Sequence, residues 1–246
     1  MQSPQFRTFF ASSDDDVLAC QRLRHEIFVS EMGARETTSA YEVDRFDQYA
    51  DHLMLVDDTR PVDDRLVGVY RLMDSDQANA AGGFSCESEY DLSPLHNASS
   101  TLLELGRSCV HPNYRSGMAL YHLWQALAAH VRDTETQILF GAASFPGTDP
   151  SRFSHALTHL HDAHLAPSHL KVASKAPAVF PRPTNVDRKV AMAQMPSLIK
   201  AYLRLGGKIG SGAFVDHAFN TTDVCMIVDV ESMNENQKKL YAPDRR

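Results

Sequence analysis

The sequence predicts an α/β protein of the α+β type, built on a mixed sheet with helices on its faces. Segments of strand composition alternate with segments of helical spacing along the 246 residues. The early strands, 52–57 and 66–73, are separated by a short polar loop that suits a hairpin, so neighbouring strands are expected to include antiparallel pairs. A chain of this length can bury a sizeable core within one domain.

The first half is predicted to begin with a strand over residues 6–12, followed by a helix. Ser13 is a suitable N-cap, and the apolar residues after it keep helical spacing as far as Gly33, which can end a helix. The segment 74–100 is rich in Ser, Asn and Gly and is predicted to be mostly irregular. A strand is predicted to follow over 101–111.

The second half is predicted to alternate helices with strands, and its clearest helix covers 118–131. The other predicted elements are strands over 137–145 and 223–230, helices over 150–165 and 195–205, and a loop over 177–183. Together the elements predict a single domain over 1–235 with an elaboration from about residue 165. A charged, disordered tail is predicted over 236–246.

Charge is distributed unevenly along the chain. The formal net charge is −7, yet residues 165–215, which we name the basic segment, contain eight basic residues and one acid, Asp187. The basic residues are Lys171, Lys175, Arg182, Arg188, Lys189, Lys200, Arg204 and Lys208. The segment carries +7 and the rest of the chain −14, so it attracts either phosphate headgroups or an acidic protein. An ordinary solvated surface is the alternative.

Composition favours a cytoplasmic protein. No apolar run approaches the length of a membrane span, and the N-terminus lacks the basic and apolar regions of a secretory signal. The four cysteines are far apart and form no CxxC pair, which is typical of structural thiols in a reducing compartment. They are Cys20, Cys86, Cys109 and Cys225.

Ionisable residues stand beside apolar, structure-forming stretches at several places in the first half. They are Arg24 with Phe28 one helical turn later, Glu42 with Asp44 and Asp47, Arg71 after an apolar run, and Glu104 with Arg107. Buried charges are costly unless they are paired. Three arginines and four carboxylates at the ends of predicted elements therefore indicate a polar site.

The order Arg-x3-Phe, Glu-x-Asp-x2-Asp, Arg, Phe, Glu-x2-Arg, with Phe84 as the second phenylalanine, resembles the acyl-homoserine-lactone synthases and the N-acyl amino acid synthases. Residues 143–149, 202–207 and 219–224 are similar to the bacterial L-ornithine N-alpha-acyltransferases of ornithine lipid synthesis. The resemblance covers roughly residues 15–230. It implies a GNAT-like acyltransferase fold with a mixed, mostly antiparallel central sheet.

The resemblance also implies a reaction, in which a fatty or 3-hydroxy fatty acyl group passes from acyl carrier protein to the α-amine of L-ornithine and gives lyso-ornithine lipid. Attack on a thioester requires a neutral amine, and hence a proton acceptor, and the developing oxyanion requires an N–H donor. Glu104, in an apolar strand, is the predicted base. The alternative is that Glu104 and Arg107 are ion-pair partners in a structural network.

The other predicted site residues concern the amino acid substrate. The resemblance assigns Arg24, Phe28, Glu42, Arg71 and Phe84 to substrate binding. An arginine is the natural partner of the substrate carboxylate, and the spacing does not say which arginine serves.

Two carboxylates keep two interpretations open. Asp44 and Asp47 are predicted either to hold the side-chain ammonium of ornithine or to lock Arg24 and Arg71 in place.

The stretch 111–119 runs from a strand into a helix, where backbone N–H groups bind phosphate well. GNAT acetyltransferases have Arg or Gln, two residues, then Gly-x-Gly or Gly-x-Ala, but Arg115 is one residue too close to Gly117. This departure argues against free coenzyme A and leaves Arg115, Ser116 and Gly117 for the phosphate of carrier-bound phosphopantetheine. No resident cofactor is expected. The expected partners are acyl carrier protein, an amino acid and the surface of the inner membrane, with no nucleic acid.

Four histidines in one predicted helix invite a zinc interpretation. They are His155, His159, His161 and His164. Because no cysteine or added carboxylate completes a ligand set, an ordinary helix surface is favoured and no metal is predicted.

Three other functions stay open at this point. The same reaction on glutamine, lysine or glycine is one, and acyl-homoserine-lactone synthesis from S-adenosylmethionine is another. The segments 206–207 and 220–222 argue against the latter. A non-catalytic lipid- or carrier-binding module is the third, and the four predicted catalytic residues, Glu104, Arg107, Asp44 and Asp47, argue against it.

Overall fold

A computed structural model describes residues 3–35, 39–115, 118–234 and 237. The strands are β1 (Phe6–Phe10), β2 (Asp51–Asp57), β3 (Leu66–Asp74), β4 (Tyr90–Asp91), β5 (Leu102–Val110), β6 (Ile138–Pro146), β7 (Ala173–Ser174), β8 (Lys208–Ile209), β9 (Phe214–Asp216) and β10 (Thr221–Asp229). The helices are α1 (Asp14–Arg24), α2 (Ser75–Ala81), α3 (Ser93–His96), α4 (Met118–Asp133), α5 (Ser154–His164), α6 (Arg188–Gln194) and α7 (Ser197–Arg204). Except for Gln237, the predicted tail lies outside the described residues.

The chain divides into two compact units. Within the described residues, the first unit contains 3–84 and 103–135, and the second contains 85–102 and 136–234. The prediction of one domain with an elaboration stays a prediction.

The first unit is built on antiparallel strands in the order β1, β2, β3, β5. The β2–β3 hairpin is the one predicted from the polar loop. Its two strands are buried along almost their whole length, which explains their nearly continuous apolar composition. Arg71 on β3 pairs with His52 on β2 and with Gly106 on β5. Strand pairing therefore places Arg71 within the sheet and not at its edge.

Helix α1 begins as predicted, because the Ser13 side chain accepts a hydrogen bond from the Asp16 backbone N–H at 3.2 Å. Its apolar side packs in a core cluster of Cys20, Leu23, Ile27, Met54, Val69 and Cys109. The α-helix ends at Arg24 and continues as a π-helical segment, His25–Glu31, before Gly33 at φ 74°. Such segments are frequent at functional sites. The change from α to π geometry was not predicted.

The prediction of mostly irregular structure over 74–100 is wrong. The Asp74 carboxylate accepts from the Gln77 backbone N–H, and the Gln77 side chain accepts from the Asp74 backbone N–H, so a capping box starts α2. Gly82, in the left-handed region at φ 78°, ends the helix. Short-range capping thus outweighs a loop-like composition.

The second unit is built around the β6–β10 pair, which is antiparallel from Thr221 opposite Pro146 to Asp229 opposite Ile138. Strands β8 and β9 both pair antiparallel with β10, while β4 and β7 form a separate pair. Parallel bridges join Leu165 to Ile209 and Ala173 to Ser211. The prediction of a mixed, mostly antiparallel sheet flanked by helices is confirmed.

The helix predicted over 195–205 is present as α7, which begins at Ser197, but α6 before it was not predicted. Met195 has extended backbone at ψ 128°, and Pro196 precedes α7. A residue before proline is disfavoured in the α region, so the chain bends here between two helices.

Candidate functional site

The three predicted arginines and three of the predicted carboxylates come together in the first unit. We name this set the arginine–carboxylate network, and it contains Arg24, Arg71, Arg107, Glu42, Asp44 and Asp47.

Arg24, at the end of α1, is completely buried. Its Nη1 and Nη2 donate to the two carboxylate oxygens of Asp47 at 2.8 and 2.9 Å. Its Nε donates to the Glu42 carboxylate, and its Nη2 to the Glu42 carbonyl oxygen at 2.6 Å. This planar, two-pronged geometry is particular to arginine.

Arg71, on β3, is 2% exposed. Its Nη1 donates to Asp44 at 2.6 Å and to Asp47 at 3.0 Å. Its guanidinium carbon lies 5.5 Å from the centre of the Phe46 ring. Its Nη2 is buried and has no hydrogen-bond partner among the described residues. A Cβ atom at Gly106 would lie 3.8 Å from this nitrogen, so the glycine packs beside the guanidinium.

Arg107, on β5, completes the network by donating from Nε to Glu42 at 3.1 Å and from Nη2 to Asp44 at 2.7 Å. Each carboxylate therefore contacts two arginines, and the three positive charges match the three negative ones. Pairing of this kind offsets the cost of removing charges from water.

The pairing also fixes the ionisation of two carboxylates. Burial by itself raises the pKa of Asp47, but hydrogen bonds and charge from Arg24 and Arg71 outweigh it and hold that pKa well below its usual range. The pKa of Asp44 is likewise lowered, because Arg107 and Arg71 outweigh the effect of burial. Both groups are anions at neutral pH.

A bulge positions Arg107. The pairing register between β3 and β5 shifts between Val69 and Arg71, and Arg107 has φ 50°. A positive φ is uncommon outside glycine, and bulges of this kind re-aim side chains beside active sites. The bulge breaks the alternation of the strand where Arg107 turns towards Glu42 and Asp44.

Glu104 lies on β5 opposite Met73 and is buried, with 3% of its surface exposed. Its position in an apolar strand is as predicted. Its neighbours in sequence on β5, Leu103 and Leu105, are buried as well.

Two residues that the sequence analysis did not single out support the network. Gln21 donates from Nε2 to Asp47 at 2.9 Å, and the buried His52 ring places Nε2 3.1 Å from the Asp47 carbonyl oxygen. Burial lowers the pKa of His52, so the ring is neutral and Nε2 carries the donated proton. For His52 the available signal was a polar residue near the start of an apolar strand, whereas α1 contains several polar residues and gave no such signal for Gln21.

Comparison with known proteins identifies the family. A family described as "Acetyltransferase (GNAT) domain" matches residues 23–125. An L-ornithine N(alpha)-acyltransferase of Rhodobacter capsulatus is 46% identical over 242 residues, which covers 94% of this chain and 92% of the relative. One of Brucella abortus is 40% identical, covering 95% of this chain and 88% of the relative. The chain belongs to the L-ornithine N(alpha)-acyltransferase family.

Two solved structures show the fold at low sequence identity. FeeM, an N-acyl amino acid synthase from uncultured soil microbes, is 11% identical with a TM-score of 0.58, covering 94% of this chain and 93% of that one. The AHL synthase LasI is 12% identical with a TM-score of 0.57, covering 99% and 100%. The predicted GNAT-like fold is confirmed, and the protein is an acyltransferase of the family.

The family assignment leaves the two predicted aromatic contacts as predictions. Phe28 is partly buried against the α1 core cluster, and Phe84 is buried with 3% of its surface exposed.

The predicted phosphate loop is described only in part. Arg115 donates from both terminal nitrogens to Glu31 at 2.6 and 2.7 Å, and from Nε to the Val110 carbonyl oxygen at 3.0 Å. Ser116 and Gly117 lie outside the described residues. Arg115 would have to share its guanidinium between Glu31 and a phosphate, so its predicted role stays a prediction.

The cysteines and histidines have structural contacts. All four cysteines are buried, and burial raises the pKa of Cys20 to about 12, which keeps it a thiol. His155 Nδ1 accepts from the Asp187 backbone N–H at 3.0 Å. His159 and His164 stack edge to face.

A second group of carboxylates, not recognised in the sequence, lies in the second unit. Glu89, Asp216 and Asp223 place their oxygens within 4.8 Å of one another.

No helix in the described part of the chain combines the length and apolar composition needed to cross a bilayer.

Proposed function

We propose that this enzyme transfers a fatty acyl group from acyl carrier protein to the α-amine of L-ornithine, giving lyso-ornithine lipid. The observation that carries the proposal is similarity along almost the whole chain to relatives named L-ornithine N(alpha)-acyltransferase. In the reaction the amine nitrogen bonds to the thioester carbonyl carbon, the C–S bond breaks, and the carrier thiol leaves. One proton passes from the amine to a base and then to the departing sulfur.

Glu104 is the base in this proposal. Its position supports the role, because Glu104 is buried on β5, the strand that also carries Arg107 of the arginine–carboxylate network. Arg107 is three residues further along the same strand, and its bulged backbone is the local distortion of β5 nearest to Glu104. We propose that the two residues act at one site.

Arg71 is the arginine that we assign to the α-carboxylate of the substrate. Its buried Nη2, which has no hydrogen-bond partner in the described part of the chain and lies beside Gly106, supports this choice over Arg24. The nitrogens Nε, Nη1 and Nη2 of Arg24 all donate within the network. An arginine nitrogen with a proton to spare gains a charge-assisted hydrogen bond when a carboxylate arrives.

The network contacts support the structural interpretation of Asp44 and Asp47. Both carboxylates are ion-paired with two arginines, so they hold Arg24 and Arg71 in place. We propose that the network pre-positions Arg71 and Arg107, and that it does not depend on the substrate ammonium for its charge balance.

The acceptor is tested by comparing kcat/KM for ornithine, lysine, glutamine and glycine with one donor. Ornithine should be preferred by at least about tenfold, the scale of one changed contact. A clear preference for glutamine would remove ornithine and leave the acyltransferase assignment standing.

Acyl carrier protein is the proposed donor, and no cofactor is proposed to reside in the enzyme. Carrier proteins of this kind are acidic, and the +7 charge of the basic segment supports attraction to one. The carrier thioester should therefore give a higher kcat/KM than the matching coenzyme A thioester at low salt, and the advantage should shrink as salt rises. Equal values for both donors at every salt concentration would contradict the proposal.

We also propose peripheral contact with the membrane. The proposed product has a fatty chain and a charged head, so it partitions into a bilayer. Release at the membrane surface would remove it from the enzyme.

A further inference from the structure

The basic segment contains apolar side chains that the second unit leaves in water. Val179 is 94% exposed in the loop before α6, and Val190 and Met192 on α6 are 38% and 37% exposed. Burying such side chains is favourable, so a partner that covered them would gain free energy. We name residues 175–192 the apolar-basic segment.

Cations stand near these side chains in the sequence, and the apolar-basic segment contains one acid. Lys175 and Arg182 flank Val179 in the sequence, and all three are exposed. The Lys175 ammonium donates to the Glu87 carbonyl oxygen, so it already has a partner within the second unit. Arg188 and Lys189 are exposed at the start of α6. The acid is Asp187, and its carboxylate accepts the Lys189 and Val190 backbone N–H groups at 2.8 and 3.2 Å.

The position of Arg188 and Lys189 costs the helix stability. The start of a helix carries partial positive charge, which favours acids there and disfavours cations. The first turn of α6 has no acid. These cations therefore do not serve the helix, and an external anion is the group that would gain from them.

The loop around Val179 suits an apolar environment in its backbone as well. Pro177, Pro181 and Pro183 have no backbone N–H, and the Ala178 N–H donates to the Ala213 carbonyl oxygen at 2.7 Å. Few backbone N–H groups near Val179 would lose hydrogen bonds to water on entering a bilayer. This matters because an unsatisfied backbone group is costly among acyl chains.

We propose that the apolar-basic segment docks on an anionic phospholipid bilayer, with Val179 entering the interface and Arg182, Arg188 and Lys189 binding headgroup phosphates. Val190 and Met192 flank the buried Ala191 on opposite sides of α6, so the docking is assigned to Val179. An acidic carrier protein would use the cations equally well, but a protruding Val179 between proline residues fits a deformable interface best. The remaining cations of the basic segment stay available to the carrier. These residues give the peripheral membrane contact proposed above its location, and the docking rests on that proposed contact and on no particular amino acid substrate.

The test is co-sedimentation of the full chain with vesicles of phosphatidylglycerol and phosphatidylcholine, against phosphatidylcholine alone, without substrate. The parent should bind the anionic vesicles at least about tenfold better, since each cation contributes about fivefold. Val179→Asp should weaken this binding about tenfold. Val179→Trp should strengthen it, because tryptophan favours the interface. Arg188→Glu with Lys189→Glu should remove about 25-fold or more.

The matched control is Val62→Asp in the first unit. Val62 is 72% exposed, but Asp63 and Asp64 follow it, so its substitution should leave vesicle binding within about twofold. Equal losses for Val62→Asp and Val179→Asp, or parent binding that does not depend on phosphatidylglycerol, would overturn the proposal.

A second measurement separates lipid from carrier. Without vesicles, Val179→Asp should turn over the carrier thioester within about twofold of the parent. If it instead loses carrier-dependent turnover while keeping vesicle binding, the segment is a carrier dock and the membrane proposal fails. Because vesicle binding is measured without turnover, failure of the enzymatic proposal would show separately, as inactivity of a parent that still binds vesicles.

Discussion

The two units differ in how their charged residues are buried and paired. In the arginine–carboxylate network of the first unit, where four of the six residues are buried and Arg107 and Asp44 are partly exposed, cations and anions match one for one. In the apolar-basic segment of the second unit, exposed cations outnumber the single acid, Asp187, whose carboxylate caps α6. Burial enforces pairing because an unpaired buried charge is costly, whereas water tolerates an unpaired cation. The first arrangement can position a substrate, and the second is left for an external partner.

The largest change in stability is expected from a substitution inside the arginine–carboxylate network. Asp47→Ala removes the shared partner of Arg24 and Arg71 and leaves the network with three cations and two anions, so the free energy of unfolding should fall by roughly 3–5 kcal/mol. Urea denaturation measures the loss. Asp63→Ala, at an exposed acid of the same unit, is the control and should change it by less than about 0.5 kcal/mol. Similar losses in both variants would show that the pairing does not stabilise the fold.

Glu104 is a buried residue with a proposed catalytic role. Glu104→Gln keeps the size of the side chain but cannot accept the amine proton, so kcat should fall about 10²-fold or more. The urea midpoint should stay close to that of the parent. Turnover is measured across a range of pH, and full activity of the glutamine variant throughout would reject Glu104 as the base.

The network should also make stability depend on pH. The folded-state pKa values of Asp44 and Asp47 are lowered, so their contribution is fully present above the pKa of the unfolded chain and is lost as the pH falls through the folded values. The free energy of unfolding should therefore fall with pH below about pH 4. Asp47→Asn, which has no carboxylate to protonate, should show a shallower decline. Parallel curves for parent and variant would contradict this.

His52 should add a loss of stability that begins at a higher pH and occurs in both the parent and Asp47→Asn. Its folded-state pKa is lowered by burial, so its contribution is present above its ordinary pKa of 6.5 and is lost as the pH falls below that value. Replacing His52 with Gln, which retains an N–H donor for the Asp47 carbonyl oxygen, should remove this first part of the decline. The same urea series measures it, and an unchanged curve between about pH 6.5 and pH 5 would argue against it.

The smallest stability effect is expected at the exposed cations. Arg188→Glu with Lys189→Glu should leave the free energy of unfolding unchanged or raise it by up to about 0.5 kcal/mol, because acids suit the start of α6. A loss above about 1 kcal/mol would mean that these cations are paired within the fold, and the contrast between the units would fail.

Local patterns explain most of what could be predicted about the elements. Ser13 was recognisable as an N-cap and the β2–β3 hairpin as two apolar runs around a polar loop, because both depend on hydrogen bonds and periodicity within a few residues. The capping box of α2 was equally local, but the composition around it obscured it. The π-helical segment after Arg24 left no comparable pattern.

The sequence by itself determined the inventory of the site: which arginines and carboxylates the chain contains, which elements they belong to, and how unevenly charge is divided. Only the tertiary structure decided which arginine pairs with which carboxylate. Arg107 reaches Glu42 across 65 positions and Asp44 across 63, and it does so from a bulge with positive φ. Local spacing cannot set such distances, because they follow from strand register and from the cost of leaving a buried charge alone.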